Sequence, residues 1–286
     1  MIIEEYLLIL LITLGFSIAV VFAKVSLNSI RPERFSMIYI SGATLVIFIE
    51  FVIFHLAGDA PVFLTDRITL VIVLGGVFGA FAYLFGYIGL RSVHAGISST
   101  IFDLQGPLIT FIGAIVFAIY PGNYVILGLF VAIFGLFLMG YKRHDSGKIK
   151  VTIPFIFLAF SPLLWALEWI SFDSVSSPAP IFLTFLLYLS ILIVLVFINA
   201  ITKPPLISPV RLRVLAFIGG LFSGIANGSY GIFITMYGST LTGVITLLSV
   251  PVGLFLIIVF LHERYTRLEI IGILAIFAGL AISTLL

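Results

Sequence analysis

The chain has 286 residues, 62% hydrophobic and 9% charged, with net charge +2 and no cysteine. Soluble domains carry roughly 25% charged residues to face water, so this surface faces something apolar, as the mean hydropathy of +1.33 also says. The small charge excludes a nucleic-acid footprint, and the absent cysteine excludes disulfides, thiolate nucleophiles and Cys-ligated metal.

A membrane-spanning helix needs about 20 mostly apolar residues. In chain order, such runs are predicted at 6–27, 35–56, 68–91, 95–118, 123–141, 151–171, 180–201, 211–234, 239–261 and 266–285. The expected fold class is therefore all-α, a polytopic membrane protein of ten transmembrane helices. The short alternating segments of a β-barrel are absent. Glu4 and Glu5 precede the first run and no A-x-A follows it, so it reads as a retained helix rather than a secretory signal. The basic stretch from Lys142 to Lys150 reads as a loop.

The chain repeats. Shifting it by 144 residues lays Gly75 to Tyr83 (GGVFGAFAY) on Gly219 to Asn227 (GGLFSGIAN). The same register pairs Phe16-Ser17 with Phe160-Ser161, Pro107 with Pro251, Gly128 with Gly272 and Gly135 with Gly279. Two units are expected, 1–143 and 144–286. Each holds five helices, an odd number, so the second must be inverted relative to the first. Inverted repeats with a site between them are the architecture of secondary transporters.

Charges and amides inside a membrane are costly and tend to be functional. Asp103 lies roughly 13 Å into the fourth run at 1.5 Å per residue. Helical spacing sets it on a face with Gly96, Ser99, Thr100, Gly106, Pro107 and Thr110, and Gln105 lies close by. Pro107 has no N–H, which leaves the Asp103 carbonyl without its helical donor. Asp103 is a substrate contact or proton site, or else a carboxyl paired to a neighbouring helix. Lys24, on a face with Thr13, Ser17 and Asn28, and Glu168, with Ser161 and Trp165, occupy equivalent repeat positions. They read as gating or coupling residues near opposite mouths, or as side chains reaching the interface. Tyr83 and Asn227 are likewise equivalent, with Tyr87 and Tyr230 one turn on. These line a solute cavity or bond between helices.

Thr242, Thr246, Ser249 and Gly253 form a polar and small stripe beside Pro251. Glu50 lies deep in the second run, and Gly75, Gly79 and Gly86 serve close helix packing. The four histidines, including His55 and His94 at helix ends, offer no metal spacing. No P-loop, G-x-S-x-G or H-E-x-x-H motif is present, so neither cofactor nor metal is expected and the chain does not read as an enzyme.

From Ile245 to Ser283 the sequence resembles the end of an EamA-type transporter of the drug/metabolite transporter superfamily. Pro251, Glu263-Arg264, Gly272 and Gly279 carry the likeness, and Lys24 and Arg34-Phe35 extend it to the first repeat. His262 departs from it, where the family usually has Gly. The turn Ile119-Tyr120-Pro121 departs too, lacking an acidic residue. The resemblance implies ten helices, alternating access about a central cavity, and export or exchange of a small organic metabolite such as an amino acid or drug-like solute.

On these readings the substrate-binding candidates are Asp103, Gln105, Tyr83, Tyr87, Trp165, Asn227, Tyr230 and Ser249. The coupling or gating candidates are Lys24, Glu168, Pro107 and Pro251. The expected partners are a small-molecule substrate and the bilayer of the cell membrane, with no nucleic acid, in a monomer or homodimer. Of the 14 lysines and arginines, only Arg67 falls on the side of both termini. The charge rule places the termini outside, whereas the family resemblance places them inside. An intramembrane enzyme or lipid-handling protein is the alternative reading, and it would want ionisable groups clustered at one interface.

Overall fold

In a computed structural model the chain is described over residues 2–116, 123–140, 152–176, 179–205, 208–245 and 249–283. These residues form α1 (Ile2–Leu27), α2 (Pro32–Leu56), α3 (Asp66–Ser92), α4 (Ala95–Phe102), α5 (Gln105–Val116), α6 (Asn123–Gly140), α7 (Ile153–Asp173), α8 (Pro180–Thr202), α9 (Val210–Ile245), α10 (Ser249–Leu261) and α11 (Arg267–Ser283). No strand occurs among the described residues. Seven runs, with α4 and α5 taken as one, are long and apolar enough to cross a membrane, and two shorter apolar stretches lie at Ile126–Gly135 and Ser249–Leu261. Thr246, the turn Ile119 to Pro121 and the loop from Lys142 to Lys150 lie outside the described residues.

Local chemistry explains the helix ends. Proline opens α2, α7 and α8, where its missing N–H costs nothing and its fixed φ suits the first turn. Thr65 caps α3 by accepting from the Ile68 amide at 3.3 Å. Thr266 and Glu269 cap α11 reciprocally, a capping box. Inside α7, Pro162 cannot donate to the Leu158 carbonyl. Ser161 Oγ donates to that oxygen instead, at 2.8 Å.

Two expectations are corrected. The fourth run is two helices, broken at Asp103-Leu104. The break relieves the Asp103 carbonyl of the unpaired state expected from Pro107, because the Gly106 amide turns back to donate to it at 3.2 Å. The eighth and ninth runs meet without a loop: α9 continues through a break at Gly238, whose φ of +77° is open to glycine and strained for other residues.

The packing exchanges the two repeats. α1 lies along α9 and α3 along α7, each pair the image of the other under the 144-residue shift. α6 and α11, themselves equivalent, pack together. A Cβ at Gly135 would lie 2.6 Å from the Gly272 carbonyl oxygen, and one at Gly279 would strike that of Gly128. Equivalent residues also touch directly: Thr44 Oγ1 donates to the Tyr188 carbonyl at 3.3 Å, and Asn227 Nδ2 reaches Tyr83 Oη at 3.5 Å.

Glycines set the closest approaches. At Gly220 a Cβ would run into the Tyr39 carbonyl, at Gly42 into that of Phe217, and at Gly76 into Ser190. Trp169, Tyr188, Tyr230 and Phe35 fill the interior. Large apolar side chains such as Phe130, Phe197, Phe255 and Phe260 point outward, each more than 60% exposed. An apolar exterior around a core that holds Asp103 and Glu168 fits a lipid surround.

Candidate functional site

Where the repeats meet, a cavity opens between helices from both. α1 contributes Phe16, Ser17, Val20 and Ala23, α2 contributes Tyr39, and α3 contributes Tyr83 and Tyr87. Ser99, Phe102, Asp103 and Gln105 come from α4, the break and α5. Trp165 and Trp169 of α7, Ser223 and Asn227 of α9, and Ser249 of α10 complete the lining.

The break is what presents Asp103. At the end of α4 its backbone keeps helical angles, φ −68° and ψ −10°, but the chain turns before α5 begins. The carboxyl is 7% exposed, and Oδ1 accepts from Ser249 Oγ at 3.1 Å. Ser17 Oγ donates to the Ser249 carbonyl at 3.2 Å. α1, α10 and the break are thereby tied at one point of the wall. The face predicted for Asp103 is buried or half-buried throughout.

The same cavity carries an aromatic wall. Trp165 meets Tyr83 edge-on at 5.3 Å and Phe102 at 4.9 Å. Tyr39 meets Tyr87 at 5.2 Å, and Tyr83 lies 5.9 Å from Tyr87. A carboxyl sharing a cavity with aromatic rings and hydroxyls can hold an organic ammonium by charge and by cation–π attraction, with the rings covering an apolar remainder. Among the described residues no group of His, Cys, Asp or Glu could hold a metal ion.

Asp103, Gln105, Tyr83, Tyr87, Trp165, Asn227 and Ser249 thus line one cavity. Tyr230 does not: it is fully buried behind Trp169 and Phe16, at ring distances of 4.7 and 6.3 Å. Glu168 also lies outside the lining, fully buried. Lys24 does not line the cavity. Its Nζ donates to the Leu90 carbonyl at 2.7 Å and to that of Val93, satisfying the last turn of α3. Pro107 is buried in the first turn of α5, and Pro251 lies exposed in that of α10. Glu50 presses its carboxyl on Gly228, joining α2 to α9.

Sequence reasoning did not assign Phe16, Val20, Tyr39, Phe102, Trp169 or Ser223 to the site. Tyr39 and Ser223, polar groups inside apolar runs, carried the one usable signal.

At one end of the molecule Glu263 gathers several elements. Its Oε1 accepts from the Ala95 amide at 2.8 Å and Oε2 from Gly96 at 3.2 Å and from Tyr265 Oη at 3.0 Å. Lys24 stands within charge attraction of it. Burial first, and then the Glu263 charge, push the Tyr265 phenol up, so it remains a donor. His94 pairs with Glu269 at 3.7 Å. Elsewhere, Asp173 Oδ2 accepts from the Ser239 amide at 3.2 Å, just past Gly238.

None of the curated proteins compared matches the chain. A solved crystal structure, one of 28 matching chains, is similar over 96% of this chain and 97% of its own, with a TM-score of 0.64 at 16% identity. That likeness speaks for the fold alone. The family model of the EamA-like transporters matches residues 4–141 and again 152–285. Two matches covering nearly the whole chain, on an all-helical fold whose halves pack as exchangeable units, place it plainly: it is a multi-pass protein of the cell membrane and belongs to the EamA-like transporter family of the drug/metabolite transporter superfamily.

Proposed function

We propose that this chain moves a small organic solute bearing an ammonium group, outward or by exchange, through alternating access about the cavity between its repeats. The observation that carries the reading is the Asp103 carboxyl, set at a helix break in a cavity it shares with an aromatic wall. Ten spans in two inverted five-helix units fit this reading. α6 and α11 are equivalent, yet residue number rises along one as it falls along the other where Gly135 meets Gly272 and Gly128 meets Gly279. Equivalent helices that run antiparallel belong to inverted units.

In this scheme Asp103, Tyr83, Tyr87, Trp165, Asn227, Gln105 and Ser249 contact the solute. Tyr230 supports the wall from behind. Lys24 and the backbone around Pro107 and Pro251 belong to the parts that move.

The test is a thermal-shift screen of purified protein with amino acids, nucleosides, sugars and cationic drugs, run on wild type and Asp103→Asn. A ligand at 100 times its dissociation constant stabilises the fold by about 2.7 kcal/mol. Ammonium compounds are expected to stabilise wild type and to lose that effect in the variant. Stabilisation retained in full by the variant removes Asp103 from the site. Silence across the panel, with stabilisation by lipids instead, favours the lipid-handling alternative.

A further inference from the structure

Behind the cavity wall lies a second polar site. Glu168 is fully buried, and among the described residues neither carboxyl oxygen has a hydrogen-bond partner. The side chain is accommodated against α3 because residue 79 is glycine: a Cβ there would lie 2.8 Å from the Glu168 carboxyl and 2.8 Å from Ile191 of α8. An ionised carboxylate without a partner is costly in an apolar interior. The acid form carries no net charge and avoids most of that cost.

The groups within charge reach are Tyr83 from α3, Tyr188 from α8 and Tyr230 from α9. α5 carries no titratable side chain, and Asp103 follows the end of α4. Tyr83 and Tyr188 share a hydrogen bond at 2.7 Å, and Asn227 Nδ2 approaches Tyr83 Oη at 3.5 Å. Tyr83 and Asn227 line the cavity, whereas Tyr188 and Glu168 do not. A short row of polar groups therefore leads from the cavity towards the buried carboxyl. Tyr230, whose hydroxyl has no hydrogen-bond partner among the described residues, stands within charge reach of both Glu168 and Asp103.

We infer that Glu168 is a proton site separate from the solute site, loaded and emptied through the Tyr83–Tyr188 pair as the cavity changes sides. The inference rests on the transport reading and supplies its coupling ion. Asp103 faces the solute, Glu168 carries the proton, and Tyr230 lets the charge at one be felt at the other.

Two measurements test it. In infrared titration of the purified protein from acidic to alkaline pH, wild type and Asp103→Asn are expected to show a protonated-carboxyl carbonyl band that Glu168→Gln lacks. In proteoliposomes with tetraphenylphosphonium as probe, wild type is expected to exchange the probe and to concentrate it against an imposed proton gradient. Glu168→Gln is expected to keep the exchange and to lose concentration down to the level without a gradient, with Glu168→Asp restoring part of it. Two results overturn the inference: concentration by Glu168→Gln equal to wild type, or a wild-type spectrum without a band that this substitution removes. If wild type exchanges no probe, tetraphenylphosphonium is not a cargo, the thermal-shift screen still decides the solute reading, and the infrared band alone decides the proton site.

Discussion

The amide that opens α4, at Ala95, and the one that follows Gly238, at Ser239, stand 144 residues apart in equivalent places. Both end on a carboxylate. At Ala95 the acceptor is Glu263, which also takes the Gly96 amide and the Tyr265 hydroxyl. At Ser239 it is Asp173, through one bond. The duplicated backbone keeps the same requirement, since the first amides of a helix have no intrahelical acceptor. The residues that meet it come from different elements, the turn before α11 in one case and the end of α7 in the other. Need is set by geometry and is shared between the repeats; the supplier is free to differ.

That contrast sets an order of effects. Glu263→Ala strips two amides and Tyr265 of their acceptor and is expected to destabilise the protein by about 2 kcal/mol, read as a lower unfolding midpoint in detergent. Asp173→Ala removes a single bond and is expected to lose about 1 kcal/mol in the same measurement. Equal losses in the two variants would mean that the extra partners of Glu263 contribute nothing. Glu263→Gln keeps one of the two acceptor oxygens, puts a non-accepting NH2 in place of the other and removes the charge at the helix start. It is expected to lose less than the Ala variant, and the charge part, about 0.5 kcal/mol, shrinks as salt is added. A Gln variant as unstable as the Ala variant would mean that the one oxygen it retains contributes nothing.

Much of this architecture is written in short-range pattern. Apolar run length marks the helices. The glycine register that aligns Gly128 with Gly272 and Gly135 with Gly279 also names the residues that meet between α6 and α11. The polar face of Asp103 is visible because helical spacing gathers Ser99, Thr100 and Gly106 beside it. What is not legible is set by distance in sequence. Hydropathy is blind to the break at Asp103-Leu104, because the average over Ala95–Val116 stays apolar despite Asp103 and Gln105. Nothing near Ala95 announces a cap 168 residues away. Glu168 shares a helix with Trp165, but only the approach of α3 at Gly79 decides that one faces the cavity and the other lies behind its wall.

The glycine contacts between helices have a consequence for how such a sequence can drift. At Gly220, Gly42 and Gly76 one added methyl group meets a backbone oxygen or a side-chain carbon, so inheritance at these positions has almost no freedom. The outward phenylalanines meet only the demand of staying apolar, and they can be exchanged for leucine, isoleucine or valine with small effect. Change compatible with this scaffold is therefore steered to the outward surface, where one apolar side chain can stand in for another, and away from the glycines at which helices touch.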